Sequence, residues 1–188
     1  MRVKLNILLG ITGSIAAYKA AELVRLMKKH GWLVSVVMTR TAIRFVGELT
    51  FQTLSQNPVL VDEFERKEEW DPAHVSLADL ADVLVIAPCT ANIIAKLAHG
   101  IADDALTSTA LACRAPMVIA PAMNENMWIH PATQSNIRLV KSRGTVIVNP
   151  GRGDLACGWA GEGRLAPLDE IMSAIEKALR KKKNKHTR

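Results

Sequence analysis

Short apolar runs alternate along this chain with stretches of helical periodicity, the pattern of a parallel sheet wound by helices. The runs predict strands at Lys4–Leu9, Leu33–Met38, Val59–Val61, Val83–Ala87, Met117–Ala120 and Thr145–Val148. Several are unbroken β-branched or leucine sequences, as strands covered on both faces require. Between the first two, Ser14–Lys29 sets Ala16, Ala20, Leu23, Val24 and Met27 on one helical face and Lys19, Glu22, Lys28 and Lys29 away from it. Gly31 follows as a C-terminal stop. Further helices are expected at Ala91–His99, closed by Gly100, at Ala105–Cys113, from Pro131 to Arg143, closed by Gly144, and at Leu168–Lys182. The pattern predicts a single-domain α/β fold: a Rossmann-like (flavodoxin-like) doubly wound parallel sheet of about six strands flanked by helices. That domain is expected over residues 1–179, with a basic tail at 180–188.

Composition narrows the class. The 188 residues can bury a substantial core, and 49% hydrophobic with only 4% aromatic residues predicts an interior of Ala, Val, Leu and Ile. No apolar run approaches the roughly 18 residues of a membrane span. Ile7–Ala17 reads as strand, turn and helix start rather than as a removable signal, so a cytoplasmic setting is expected. The net charge of +6 is a property of the end of the chain: Arg180–Arg188 holds six of the 24 basic residues and no acid, and the rest balances the 18 acidic residues. Such a tail can touch nucleic acid or acidic lipid, or simply fray and solubilise. The neutral body offers neither basic stripe nor aromatic platform, so neither nucleic acid nor membrane is an expected partner. Three widely spaced cysteines, Cys89, Cys113 and Cys157, suit neither a disulfide framework nor a zinc site.

In a doubly wound sheet, ligands bind beyond the carboxyl ends of the strands. The unusual segments fall there: Gly10–Ile15, Thr39–Phe45, Pro88–Asn92, Pro121–Trp128 and the glycine-rich stretch Asn149–Arg164. Gly10-Ile11-Thr12-Gly13-Ser14 joins a strand to a helix start, with Ser14 as the expected N-cap, where backbone N–H groups and the helix dipole attract a phosphate. It is neither the three-glycine dinucleotide fingerprint nor a Walker loop, which leaves a mononucleotide or an ordinary capped turn. Thr39-Arg40-Thr41 and Pro88-Cys89-Thr90-Ala91-Asn92 are either helix caps or the lining of a pocket for a polar ring and phosphate. Cys89 reads as a small packing residue. Pro121-Ala122-Met123-Asn124-Glu125-Asn126-Met127-Trp128 uses Met, Trp and Asn where a plain turn would use Gly, Asp and Ser, which points to a flat ligand and a carboxylate.

Two side chains could move protons. His74 precedes a short helix before the fourth strand, and an imidazole there can take a proton or pair with a carboxylate. His30, His99 and His130 lie near helix ends and look structural. Cys157 sits in Gly151–Arg164, where five glycines in fourteen residues make a connector or an active-site lid.

Together these motifs resemble the homo-oligomeric flavin-containing cysteine decarboxylases. The resemblance runs from Ile7 to about Ile175 and is carried by Gly13-Ser14-Ile15-Ala16-Ala17, the His74 segment, Ala87–Asn92, Pro121–Trp128, and Ala156-Cys157-Gly158 through Gly163-Arg164. It implies FMN as cofactor, with contacts at Gly13, Ser14, Ile15, Thr39, Thr90, Ala91, Asn92, Ile93 and Ala122. Asn124 and Met127 match substrate-binding positions, Asn124 holding the carboxylate. His74 matches the catalytic histidine and Cys157 the proton donor. Cys89 departs from the Ala, Ser or Leu of other members. The implied reaction is decarboxylation of 4′-phospho-N-pantothenoylcysteine to 4′-phosphopantetheine in coenzyme A biosynthesis. In the family the flavin oxidises the CH₂–S carbon to a thioaldehyde, CO₂ leaves to give an enethiolate, and the hydride returns. The resemblance also implies a homo-oligomer, trimers packed further into dodecamers, with flavin sites between subunits. Alternatives within the same likeness are a peptidyl-cysteine decarboxylase of peptide antibiotic maturation and a non-catalytic flavin-binding regulatory subunit. Bifunctional members carry a ligase domain after this one; here that activity is expected either of another chain or of a domain missing from this sequence.

Overall fold

The computed structural model describes residues 4–62, 73–154 and 160–186. Its elements in chain order are β1 (Asn6–Ile11), α1 (Ala17–Lys29), β2 (Leu33–Met38), a 3-10 turn (Ala42–Arg44), α2 (Glu48–Ser55), β3 (Val59–Leu60), α3 (Ala73–Leu80), β4 (Val83–Cys89), α4 (Ala91–His99), α5 (Ala105–Ala112) and β5 (Met117–Pro121). There follow α6 (Glu125–Ile129), α7 (Pro131–Ser142), β6 (Val146–Ile147), β7 (Gly151–Asp154), β8 (Ala160–Arg164) and α8 (Leu168–His186). Six strands form one sheet in the order β3-β2-β1-β4-β5-β6. All its pairings are parallel, from Asn6 opposite Leu33 in β1–β2 to Ile119 opposite Ile147 in β5–β6. The order reverses between β1 and β4, so a crevice opens at their carboxyl ends.

Period-two alternation sends the strand side chains into two cores. Ile7, Leu9 and Ile11 of β1 join Val85 of β4 and the buried faces of α1, α2 and α8 on one side. Leu8, Leu84, Ile86 and Ile119 meet Ile93, Ile94, Leu106 and Ile137 from α4, α5 and α7 on the other. Each fully buried aliphatic side chain contributes about 1.5–3 kcal/mol. This two-sided cover is why the strands read as unbroken apolar runs.

Four features differ from the sequence expectation. Helix α2 is absent from the predicted pattern because only Phe51 and Ser55 of its eight residues are buried, too few to mark a helical period. The glycine-rich stretch after β6 contains an antiparallel hairpin, β7–β8, whose glycines carry no hydrophobic alternation. The loop after β5 is capped into the short helix α6. Helix α8 extends to His186, past the expected Lys182.

Candidate active site

Beyond the carboxyl ends of β1, β4 and β5 lies a cleft of about 740 Å³. Thr12, which lines an adjoining hollow, joins two of the bordering strands. Completely buried, its hydroxyl donates to Pro88 O (2.8 Å) and accepts from the Thr90 N–H (3.1 Å), which ties the end of β1 to the end of β4. The chain then turns through Gly13, where a Cβ would lie 2.5 Å from Thr41 Oγ1, so only glycine lets the two loops close. Ser14 is not the N-cap of α1. That position falls on Ala16, without a side-chain cap, and the Ser14 hydroxyl instead accepts the Ala16 N–H at 3.3 Å within the turn.

Thr90 caps α4 by accepting the Ile93 N–H at 3.5 Å. Thr39, nearly buried, shares a hydrogen bond with Thr41 Oγ1 (3.1 Å) and accepts the Ala42 N–H (3.2 Å). A second hollow of about 490 Å³ adjoins the cleft, sharing Thr41, Thr90 and Asn92 and adding Thr39 and Ile93. Ala122 is buried, and its N–H donates to Cys89 O (3.1 Å). Asn124 is the N-cap of α6, its Oδ1 accepting the Asn126 N–H at 2.9 Å. Trp128 anchors this helix in the second core, and Met127 points outward, half exposed.

Among the residues singled out from sequence, Gly13, Ser14, Ile15, Thr90, Ala91, Asn92, Ala122, Asn124 and Met127 share the one cleft. Thr39 and Ile93 line the adjoining hollow, where the Ile93 side chain belongs to the core. His74 stands apart. It lies within α3, in its first turn rather than before it, and α3 packs against α5. It does not line the cleft of its own chain. Cys157 lies outside the described residues. Cys89 is wholly buried, and burial pushes its thiol far above the ordinary range, so it packs and does not react.

Tertiary packing adds Tyr18 and Lys19 to the lining, beside Thr41 and Arg164 from segments already expected at this end of the sheet. Desolvation, then the nearby Arg164 guanidinium, lowers the Lys19 pKa. The periodicity that put Lys19 on the polar face of α1 was the available signal, one turn beyond Ser14. The hairpin closes one wall. Gly163 O accepts the Met123 N–H at 2.9 Å, and a Cβ on Gly163, at φ +142°, would stand 2.1 Å from Met123 O.

A doubly wound sheet with a capped, hydroxyl-lined crevice at its switch point defines a nucleotide-cofactor protein of the α/β class. The chain belongs to the Flavoprotein family, whose model matches residues 1–180. It is 46% identical over 172 residues to the coenzyme A biosynthesis bifunctional protein CoaBC of Bacillus subtilis, covering 92% of this chain and 42% of that protein. It is 46% identical over 176 residues to a probable phosphopantothenoylcysteine decarboxylase of Streptococcus mutans, covering 93% of this chain and 98% of the relative. The chain thus spans about two fifths of the bifunctional relative and nearly all of the shorter one. Among solved structures, the FMN-dependent cysteine decarboxylase SpaF superposes with TM-score 0.82 at 36% identity, covering 95% of this chain and 97% of that one. A mutant PPC decarboxylase complexed with pantothenoylaminoethenethiol also gives 0.82, at 32% identity, with 93% and 97% covered.

Proposed function

We propose that this protein is an FMN-dependent carboxy-lyase that converts 4′-phospho-N-pantothenoylcysteine to 4′-phosphopantetheine and CO₂ in coenzyme A biosynthesis. The observation that carries the reading is the meeting of the Ser14 turn, the Thr90 cap and Asn124 in one cleft, alongside relatives of that activity. The residues fit the cofactor. The Gly13 loop meets Thr41 too closely for a Cβ, hydroxyls of Ser14, Thr39 and Thr90 suit a ribityl phosphate, and Ile15, Tyr18 and Met127 offer apolar surface to a ring. Bound FMN would supply a reversible two-electron sink for the CH₂–S carbon.

The protein's own groups do the rest. Asn124, held by its cap bond, presents an uncharged amide to the carboxylate, which orients the group without stabilising its charge so strongly that departure is slowed. His74 serves as the catalytic base and Cys157 protonates the carbon next to the one that receives hydride. Because His74 does not line its own chain's cleft, the reading includes a homo-oligomer, a trimer at least, in which a neighbouring copy supplies that imidazole. The exposed Ile15, Tyr18 and Met127 at the rim support such a seam.

The test is direct. Purified protein should be yellow and release FMN, not FAD, on denaturation, and it should release CO₂ from the phosphorylated substrate. A preparation that stays colourless when offered FMN, or one that decarboxylates only a Cys-terminated peptide, would overturn the proposal.

A further inference from the structure

A second large cavity, of about 660 Å³, opens at the opposite edge of the sheet, where β5 and β6 begin. Met117 and Val146, the first residues of those strands, line it, together with the C-terminal ends of α4, α5 and α7 and with Ala178 and Lys181 of α8. It shares no lining residue with the cleft, and only Lys96 with the adjoining hollow. The Lys96 ammonium is already held by Asp103 (2.6 Å) and Asp104 (2.9 Å). A cavity of this size takes a small organic molecule, and its position excludes both the flavin and the substrate of the cleft.

The lining has two kinds of surface. Leu97, Ile101 and Leu111 form an aliphatic wall, and Ile101 and Leu111 stay exposed, at 48% and 65%, although both are large. Beside it stand three further cations, Arg114, Arg143 and Lys181, and among the described lining residues there is no acid. Arg143 donates through one nitrogen to Leu97 O (3.3 Å) and Ala98 O (2.8 Å) at the end of α4, which fixes its guanidinium and leaves the rest of the fork uncommitted. No ion pair or side-chain hydrogen bond to another described residue engages Arg114 or Lys181. A neutral apolar guest would leave these charges unanswered, and a bare anion would leave the aliphatic wall in water.

We infer that this cavity is a second ligand site, for an amphipathic anion: an apolar body carrying one terminal carboxylate or phosphate. The body covers Ile101 and Leu111 and gains the free energy of apolar burial. The head group meets guanidinium forks, whose paired N–H groups match either oxyanion. The stretch Gly100–Asp104 borders both hollows, its first two residues here and its last three beside Thr39 and Thr90, so a ligand in this cavity lies one short segment from the proposed cofactor site.

The experiment titrates FMN-loaded full-length protein with decanoate, decyl phosphate and decan-1-ol by isothermal calorimetry. Both anions should bind saturably, one per chain, and the alcohol about tenfold more weakly or less. The tighter of the two anions names the head group. The double variant Arg114→Gln, Lys181→Gln should weaken both anions about tenfold and leave the alcohol unchanged. Ala115→Trp, which fills the cavity from the loop before β5, should abolish binding of all three. Bound FMN should be retained by both variants, which shows that they fold. Absence of saturable anion binding in the wild type, equal affinity for the alcohol and the anions, or anion binding that neither variant changes overturns the assignment.

Discussion

The Glu125 carboxylate accepts the Glu162 N–H at 3.0 Å, a bond that joins the first turn of α6 to the middle of β8. With Gly163 O on the Met123 N–H, it fastens the hairpin on either side of Asn124. The residue that caps α6 and the strand that ends in Arg164 therefore move as one unit, and the geometry of the cleft depends on a docking between segments about forty residues apart.

Glu125→Ala should loosen that docking. A charged hydrogen bond of this kind contributes about 1.5–3 kcal/mol when shielded and less where exposed, so amide hydrogen exchange at Glu162 should speed up clearly. Gly163→Ala should do more, because its Cβ would collide with backbone at a φ unfavourable for side chains. A drop in melting temperature with unlocked hairpin amides checks both.

Asn124→Asp separates structure from chemistry. Aspartate caps a helix as well as asparagine, so thermal stability should stay within about 0.5 kcal/mol. In the proposed role the added negative charge would face the substrate carboxylate, and turnover should fall by about a hundredfold or more, as an unpaired like charge in a partly dry cleft costs several kcal/mol. Normal turnover would remove the residue from its assigned role.

Thr12→Val keeps the shape of the side chain and deletes a buried hydroxyl that serves both Pro88 O and the Thr90 N–H. Leaving those two groups without a partner should destabilise the fold by about 2–3 kcal/mol in urea denaturation. The Thr90 loop should loosen with it, raising the Kd for FMN.

Subunit complementation tests where the imidazole acts. His74→Asn and Asn124→Asp homo-oligomers should each be inactive, yet subunits exchanged between them should regain a fraction of wild-type activity, since some interfaces then pair an intact histidine with an intact amide. No recovery after verified exchange would place both groups in one chain's site.

The acid and alkaline limbs of stability should carry the Lys96 network. Burial pushes the Asp104 carboxyl up, but the Lys96 ammonium and the Thr107 N–H and hydroxyl outweigh it and hold the pKa below 3.8. Its stabilising contribution is therefore full above pH 3.8 and lost as pH falls through the lower folded value. Burial likewise opposes the Lys96 charge, and Asp103 and Asp104 outweigh it, raising the pKa above 10.5. That contribution is full below pH 10.5 and lost as pH rises through the higher folded value. Asp104→Asn should flatten the acid limb of the pH–stability curve.

Much of this architecture was legible in the residues. Helix α4 runs Ala91–His99 as read from its periodicity and its glycine stop, and β2 runs Leu33–Met38 as its apolar run indicates. The short helix α2 was not legible, since Phe51 is nearly its whole buried face, nor was the hairpin, whose glycines leave no pattern to read. Ser14 failed as a cap because the chain turns once more before α1 begins.

The amino-acid order alone determined which segments become strands and helices, since these follow from local periodicity, and it brought the polar turns to one edge of the sheet through the strand–helix alternation. Only the tertiary structure decided that Lys19 and Arg164 would line one cleft, that Glu125 would hold the hairpin, and that His74 would stand outside its own cleft. Those relations depend on strand order, register and how closely distant backbones approach, and none of these is encoded in any short stretch of residues.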